Sequence, residues 1–275
     1  MQNLYFSICY EHETEENSIR ELDRVKSEIE ALKKMEYFKD EYPNLPFVFL
    51  PIDSMNDGKT KNVMTGNKSS QSCPDCKATP NQIKANAVHI FRNVKNIEWL
   101  KKGGKSLHNL PRTMEFLINA GAKIRIGKNR VATDLDKAMR DEDEEKIKDK
   151  LEARYGIRPG QVTKKGGNTN TGNLARKVFS DPEYLSEVTG VPLVFVKRLI
   201  NLTIIARSGK MFDWREVKKY CERTREIYVE CGLGFKSFCP TVHQLVDHLW
   251  QYVQFSPVPL GFLSEEPLEV DHTSL

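Results

Sequence analysis

The sequence predicts an α+β protein that is predominantly helical, and three observations predict it. Residues 4–10 and 47–52 are apolar strand-like runs on either side of an amphipathic stretch, a strand–helix–strand unit. From about residue 83 onward, helical periodicity recurs almost to the end. Between these parts lies Cys73-Pro74-Asp75-Cys76, a two-cysteine hook whose best complement, His243 and His248, stands near the far end. A single metal bound by all four would tie the two ends of the chain together. At 275 residues the chain fits one large domain or two small ones and is long enough to bury a sizeable core.

The elements follow in order. The run 4–10 (LYFSICY) is apolar and aromatic, as a core strand is. An acidic segment, EHETEENS, leads into Ser18 and Glu21, a capping-box pattern. Behind it, Ile19, Leu22, Val25, Ile29, Leu32 and Met35 recur at helical spacing, and Pro43 and Pro46 end the unit. FVFLPI over 47–52 is apolar throughout, which predicts a central strand. The stretch 60–82 is polar and turn-rich, and it delivers the cysteine hook. Helices are predicted over 90–101, 111–120, 137–154, from about 173 through LARKVF, and over 192–206, 214–229 and 242–253. The helix at 137–154 carries only Ala138, Met139, Ile147 and Leu151 as an apolar stripe, so it is expected to be mostly solvated. The basic, glycine-rich run 159–173 reads as a flexible loop, and the last twenty residues contain three prolines.

Composition narrows the class. With 39% hydrophobic and 29% charged residues the chain is not globally disordered. No apolar run approaches the ~18 residues needed to span a membrane. The N-terminal stretch has no basic leader followed by an apolar core, so an intracellular protein without a membrane partner is expected. A net charge of +4 permits a polyanionic partner without requiring one. Six cysteines in such a chain suggest metal ligands or buried thiols rather than a disulfide framework.

Three groups of residues could carry chemistry. Thiolates at C-x-x-C spacing can reach one tetrahedral zinc together, and His243 and His248 fall within the H-x₃₋₅-H range. There is a geometric obstacle: at roughly 100° per residue, positions five apart on a regular helix diverge by about 140°. The pair therefore needs a frayed or distorted helix end, which Pro240-Thr241 could supply. Without a metal, the same residues are a stray C-x-x-C and two surface histidines. The second group is acidic. Asp57 lies in an Asp-Gly turn just past the predicted second strand, and Glu265, Glu266 and Glu269 cluster in the tail. Carboxylates drawn from distant parts of a chain can hold a pair of divalent cations for phosphoryl transfer, although such turns and tails are commonly just solvated. The third group is basic: Lys164 and Lys165 beside glycines, with Arg176 and Lys177 at a helix start, could approach phosphates.

At these residues the chain resembles the C-terminal catalytic part of Transib-type DNA transposases and the related recombination-activating recombinase. Four stretches carry the likeness in family order over roughly residues 1 to 270: M-x-DGK around Asp57, TGNKSSQSCPDCKATP, TGNLARKVFSDPE, and VHQLVDH followed by PLGFLSEEPLE. The resemblance implies a partial RNase H-like α/β core interrupted by a large helical zinc-binding insertion. The expected division is core over 1–66, insertion over 67–253, and an acidic segment of the core over 254–275. Cys73, Cys76, His243 and His248 fall on the family's zinc ligands and Asp57 on its second acidic position. Glu269 best matches the third acidic position, with Glu265 and Glu266 as alternates because the proline in SEEPLE offsets the alignment.

The implied chemistry is metal-dependent DNA cleavage and strand transfer on Mg²⁺ or Mn²⁺, with structural Zn²⁺ in the insertion. The family's first acidic residue belongs to a strand upstream of 4–10, and after Glu269 the sequence reads Val270-Asp271-His272 where the family has an Asn-Lys pair. The expectation is thus an incomplete, transposase-derived protein, inactive alone, with DNA as partner, a nuclear location, and a homodimer as a further option. A domesticated, non-catalytic, zinc-stabilised module that binds DNA or protein is the alternative. A helical scaffold with incidental cysteines and histidines is the third reading.

Overall fold

The computed structural model describes residues 62, 65–83, 109–128, 130–162 and 169–263, with scattered helical positions between 16 and 28. The predicted strands at 4–10 and 47–52 and the predicted helix at 90–101 lie outside these residues. Within them the protein is predominantly helical and contains no strand. The elements are α1 (Asn109–Gly121), α2 (Asp134–Tyr155), α3 (Gly172–Phe179), α4 (Pro182–Thr189), α5 (Leu193–Ala206), α6 (Trp214–Glu230), α7 (Pro240–His243), a π turn (Gln244–His248), α8 (Leu249–Phe255) and a 3₁₀ turn (Leu260–Leu263).

Local chemistry starts and stops these helices. Thr133 caps α2 by accepting the Asp136 N–H at 3.1 Å, and Asp134 and Asp136 complement the helix dipole. Thr171 caps α3 through the Leu174 N–H at 3.2 Å. Asp181 caps α4 through the Tyr184 N–H at 3.1 Å, with Pro182 in the first turn, where its missing N–H costs nothing. Asp213 caps α6 through the Arg215 N–H at 2.9 Å. As its sparse stripe predicts, α2 buries only Asp136, Ile147 and Leu151; Ala138 stays exposed and Met139 is half-buried.

The core lies between α1, α5, α6 and the continuous α7–π–α8 rod. Helix α1 contributes Leu110, Met114, Phe116, Leu117 and Ile118, and the largely apolar α5 contributes Phe195, Val196, Leu199 and Leu202. Tyr228 of α6 is the aromatic hub, with ring centroids 4.6 Å from Phe238 and 4.8 Å from Phe195. Helix α8 packs along α6, while the π turn contacts both α5 and α6. The far end of α1 crosses α4 so closely that a Cβ on Gly121 would sit 2.5 Å from the Thr189 carbonyl oxygen. The 3₁₀ turn packs on α5, and the Gly261 N–H donates to the Ser208 carbonyl at 2.9 Å. Among the described residues, no helix is long and apolar enough to cross a membrane.

A candidate Cys2His2 metal centre

The hook is a tight backbone loop. The Lys77 N–H donates to the Cys73 carbonyl and the Cys73 N–H to the Ala78 carbonyl, both at 2.9 Å. To close the loop, Lys77 adopts φ 60°, unusual for a side-chain-bearing residue, and its ammonium group reaches the Thr65 carbonyl. Cys73 is fully buried and Cys76 half-buried.

The two histidines come from the α7–π–α8 rod, and the way they converge meets the expectation in part. The expectation was a frayed or distorted helix end; the helix is distorted but not frayed, since the rod is continuous and its five residues Gln244–His248 form a π turn. Hydrogen bonds of i→i+5 type stack residues five apart, much as an α turn stacks residues four apart, and π turns occur mostly as single insertions inside α-helices. That insertion brings His243 and His248 to the same face. Their Nε2 atoms are 3.2 Å apart, and His243 Nε2 is 3.3 Å from Cys76 Sγ across 167 residues of sequence.

Cys73, Cys76, His243 and His248 thus form a group able to hold a metal ion, their ligand atoms all within 4.8 Å of one another. The donor set suits zinc. With bonds of ~2.0–2.1 Å to nitrogen and ~2.3 Å to sulfur, a tetrahedral ion places two nitrogens about 3.4 Å apart and a nitrogen–sulfur pair about 3.6 Å apart. The observed 3.2 and 3.3 Å separations are close to those edges.

Outer residues orient the ligands. His248 Nδ1–H donates to Gln251 Oε1 at 2.7 Å, which leaves its Nε2 lone pair facing the cluster. His243 Nδ1 lies against Asp247 Oδ2, close enough for an ion pair though out of line for a hydrogen bond. Asp247 is itself held by Arg225, whose Nε donates to Oδ1 at 2.7 Å and whose second nitrogen donates to Oδ2. In the hook, Asp75 Oδ2 accepts from Gln244 Nε2 and from the Tyr252 hydroxyl.

The electrostatics follow from these contacts. Burial opposes a charge on His243, but Asp247 and Cys76 outweigh it and raise its pKa to about 9. Burial likewise opposes ionisation of Asp247, and His243 and Arg225 overcome it, holding the carboxyl below its ordinary range. The hydrogen bond from Cys73 pulls Cys76 down against its own burial, while burial pushes the Cys73 thiol up. A metal held there would take both sulfurs as thiolates, so its binding would release protons.

The other predicted site residues separate into two sets. Asp57, Glu265, Glu266, Glu269, Lys164 and Lys165 lie outside the described residues. Arg176 and Lys177 are exposed on α3, which supplies none of the four metal ligands. They were expected at a helix start, but they occupy the last turn. Helix α3 is only eight residues long, its N-cap is Thr171, and Asp181 begins the next helix. Arg176 also donates to Asn173 Oδ1 at 2.8 Å.

Sequence reasoning missed Asp75, Asp247, Arg225, Gln251 and Tyr252. Two of them carried a positional signal: Asp75 sits inside the hook, and Asp247 lies one helical turn beyond His243. No protein-family model matches the chain, and no curated protein matches it.

Proposed function

We propose that this chain is a transposase-derived, DNA-binding protein of the DDE transposase and recombinase type, built around a structural zinc ion. The observation that supports this reading is the convergence of Cys73, Cys76, His243 and His248 from the two ends of the described chain. These are the residues that the family resemblance assigns to zinc. Two sulfurs and two nitrogens complete a tetrahedral set and leave no open position for substrate, which favours a structural over a catalytic ion. In this reading a partial RNase H-like core, over 1–66 and 254–275, carries Asp57 and Glu269, with Glu265 and Glu266 as alternates. Those carboxylates would hold Mg²⁺ or Mn²⁺. Lys164, Lys165, Arg176 and Lys177 would meet DNA phosphates in the nucleus, and a homodimer is compatible with this reading.

The second reading is a non-catalytic, zinc-stabilised module that binds DNA or protein. The described helical fold and its closed ligand set fit that reading equally, because neither involves a carboxylate site. DNA binding and nicking on one purified protein test both readings. The expected results are one zinc per chain and DNA affinity that falls with salt. Changing Lys164 and Lys165 to Ala is expected to lower the salt slope by about 1.8, at ~0.9 per phosphate contact. Nicking with Mn²⁺ that disappears in Asp57→Asn would exclude the non-catalytic module and overturn the expectation that the chain is inactive alone; DNA binding without nicking is the expected result and agrees with both readings. A folded, zinc-free protein indifferent to Cys73→Ser overturns both.

A further inference from the structure

The carboxylate between the two cysteines has a task distinct from ligation. Asp75 is buried at 8% exposure. Its Oδ2 accepts from Gln244 Nε2 and from the Tyr252 hydroxyl, residues 169 and 177 positions away. Gln244 Nε2 also meets the Tyr252 hydroxyl at 3.2 Å, closing a three-residue network. Gln244 directly follows His243, and Tyr252 lies one α turn past His248, so the network grips the histidine-bearing rod on both sides of its ligands. At the other end, Asp75 stands two residues after Cys73 and immediately before Cys76, with Oδ2 4.0 Å from Cys73 Sγ. Fixing this one carboxylate therefore fixes where both sulfurs point. All three side chains are buried, and an unmade hydrogen bond there leaves a desolvated polar group.

We propose that Asp75, Gln244 and Tyr252 form a metal-independent clasp that seats the cysteine hook on the π turn, making them positioning residues that set metal affinity. The clasp rests on the reading of the four-residue cluster as a zinc centre. It uses side-chain hydrogen bonds alone, so the two ends of the described chain stay docked when the metal leaves, and the ion returns to ligands already near their places. Outer partners of this kind change metal affinity by about 10–100-fold when removed.

Zinc affinity, measured by competition with a chromophoric chelator on the full chain, tests the clasp. Tyr252→Phe keeps the ring and deletes one hydroxyl; the expected result is about 10–100-fold weaker zinc binding, still one ion per chain, with an unchanged tetrahedral Co²⁺ spectrum. Tyr228→Phe is the control. Its buried hydroxyl donates to the Lys236 carbonyl at 2.7 Å, outside the clasp, so its loss is expected to leave zinc affinity unchanged. Gln244→Met removes the other donor and is expected to weaken binding in the same direction, which keeps the test available should Tyr252→Phe fold poorly. Affinity within about twofold of the parent in the folded clasp variants overturns the proposal. So does an equal loss in Tyr228→Phe, which would place the effect in folding. If the parent itself binds no zinc, the zinc reading falls first, and that outcome is read separately from the variants.

Discussion

Asp247 joins two kinds of stabilisation in one carboxylate. One oxygen faces His243 and both accept from Arg225, so a buried anion, a buried cation and a candidate metal ligand share one network. Nearby Cys221 is fully buried, and its thiol donates to the Leu245 carbonyl at 3.6 Å. Burial, and then the negative charge of Asp247, push the Cys221 pKa up. The sign of the pH effect follows. Below the ordinary thiol value of ~8.5 both folded and unfolded chains hold the proton; above it only the folded chain does. Stability from this thiol is thus complete below about pH 8.5 and erodes above it, by up to ~1.4 kcal/mol per pH unit. Urea unfolding of Cys221→Ala at a series of pH values is expected to show a shallower alkaline decline than the parent. An identical slope would assign the decline to other groups. Of the residues in this region, the four members of the candidate metal group were legible because their types and spacings are those a zinc site needs. Arg225 was not: it is one of 42 basic residues, and only the fold sets it against Asp247.

At the scale of elements, the π turn resolves the obstacle raised by the five-residue histidine spacing. All five of its residues are buried, which no single stripe of an α-helix would permit; the turn packs on α5 and α6 and also carries Gln244 and His248 toward the cysteine hook. The spacing required a distortion, but an inserted residue has no composition of its own, so its place and kind could not be read from sequence. Helix α4 is a different miss. Asp181, Pro182 and Gly190 are ordinary start and stop signals, yet eight residues with only Leu185, Val188 and Thr189 buried carry too few turns to show a period. Its packing depends on Gly121, where α1 meets the Thr189 carbonyl. A methyl group there must push backbone away, so Gly121→Ala is expected to cost about 1–3 kcal/mol, despite alanine's better helix propensity. Chemical denaturation measures the loss, and zinc affinity of the folded variant should match the parent, because neither α1 nor α4 supplies a ligand. A stabilised variant would show that the crossing can relax.

For the molecule as a whole, the question is whether the metal creates the fold or secures one that already stands. Small zinc modules unfold without their ion because they have little else to bury. Here α1, α5, α6 and the α7–π–α8 rod share a continuous core whose members, such as Met114, Leu117, Phe195, Leu199 and Tyr228, are completely shielded and are not metal ligands. What a bound ion would add is a link between residues 167 positions apart, Cys76 and His243. Free zinc at about 100 times its Kd stabilises a protein by ~2.7 kcal/mol if the unfolded chain does not bind it. In a domain of this size, that corresponds to roughly 5–11 °C in the unfolding midpoint. Chelation is therefore expected to lower the thermal midpoint by that order while leaving the far-ultraviolet helical signal at 25 °C nearly intact. Hydrogen exchange should quicken at 73–78 more than in α1 or α5. Collapse of the whole helical signal on chelation would mean that the ion organises the core itself. An unchanged midpoint would mean that the four residues hold no metal that matters to the fold.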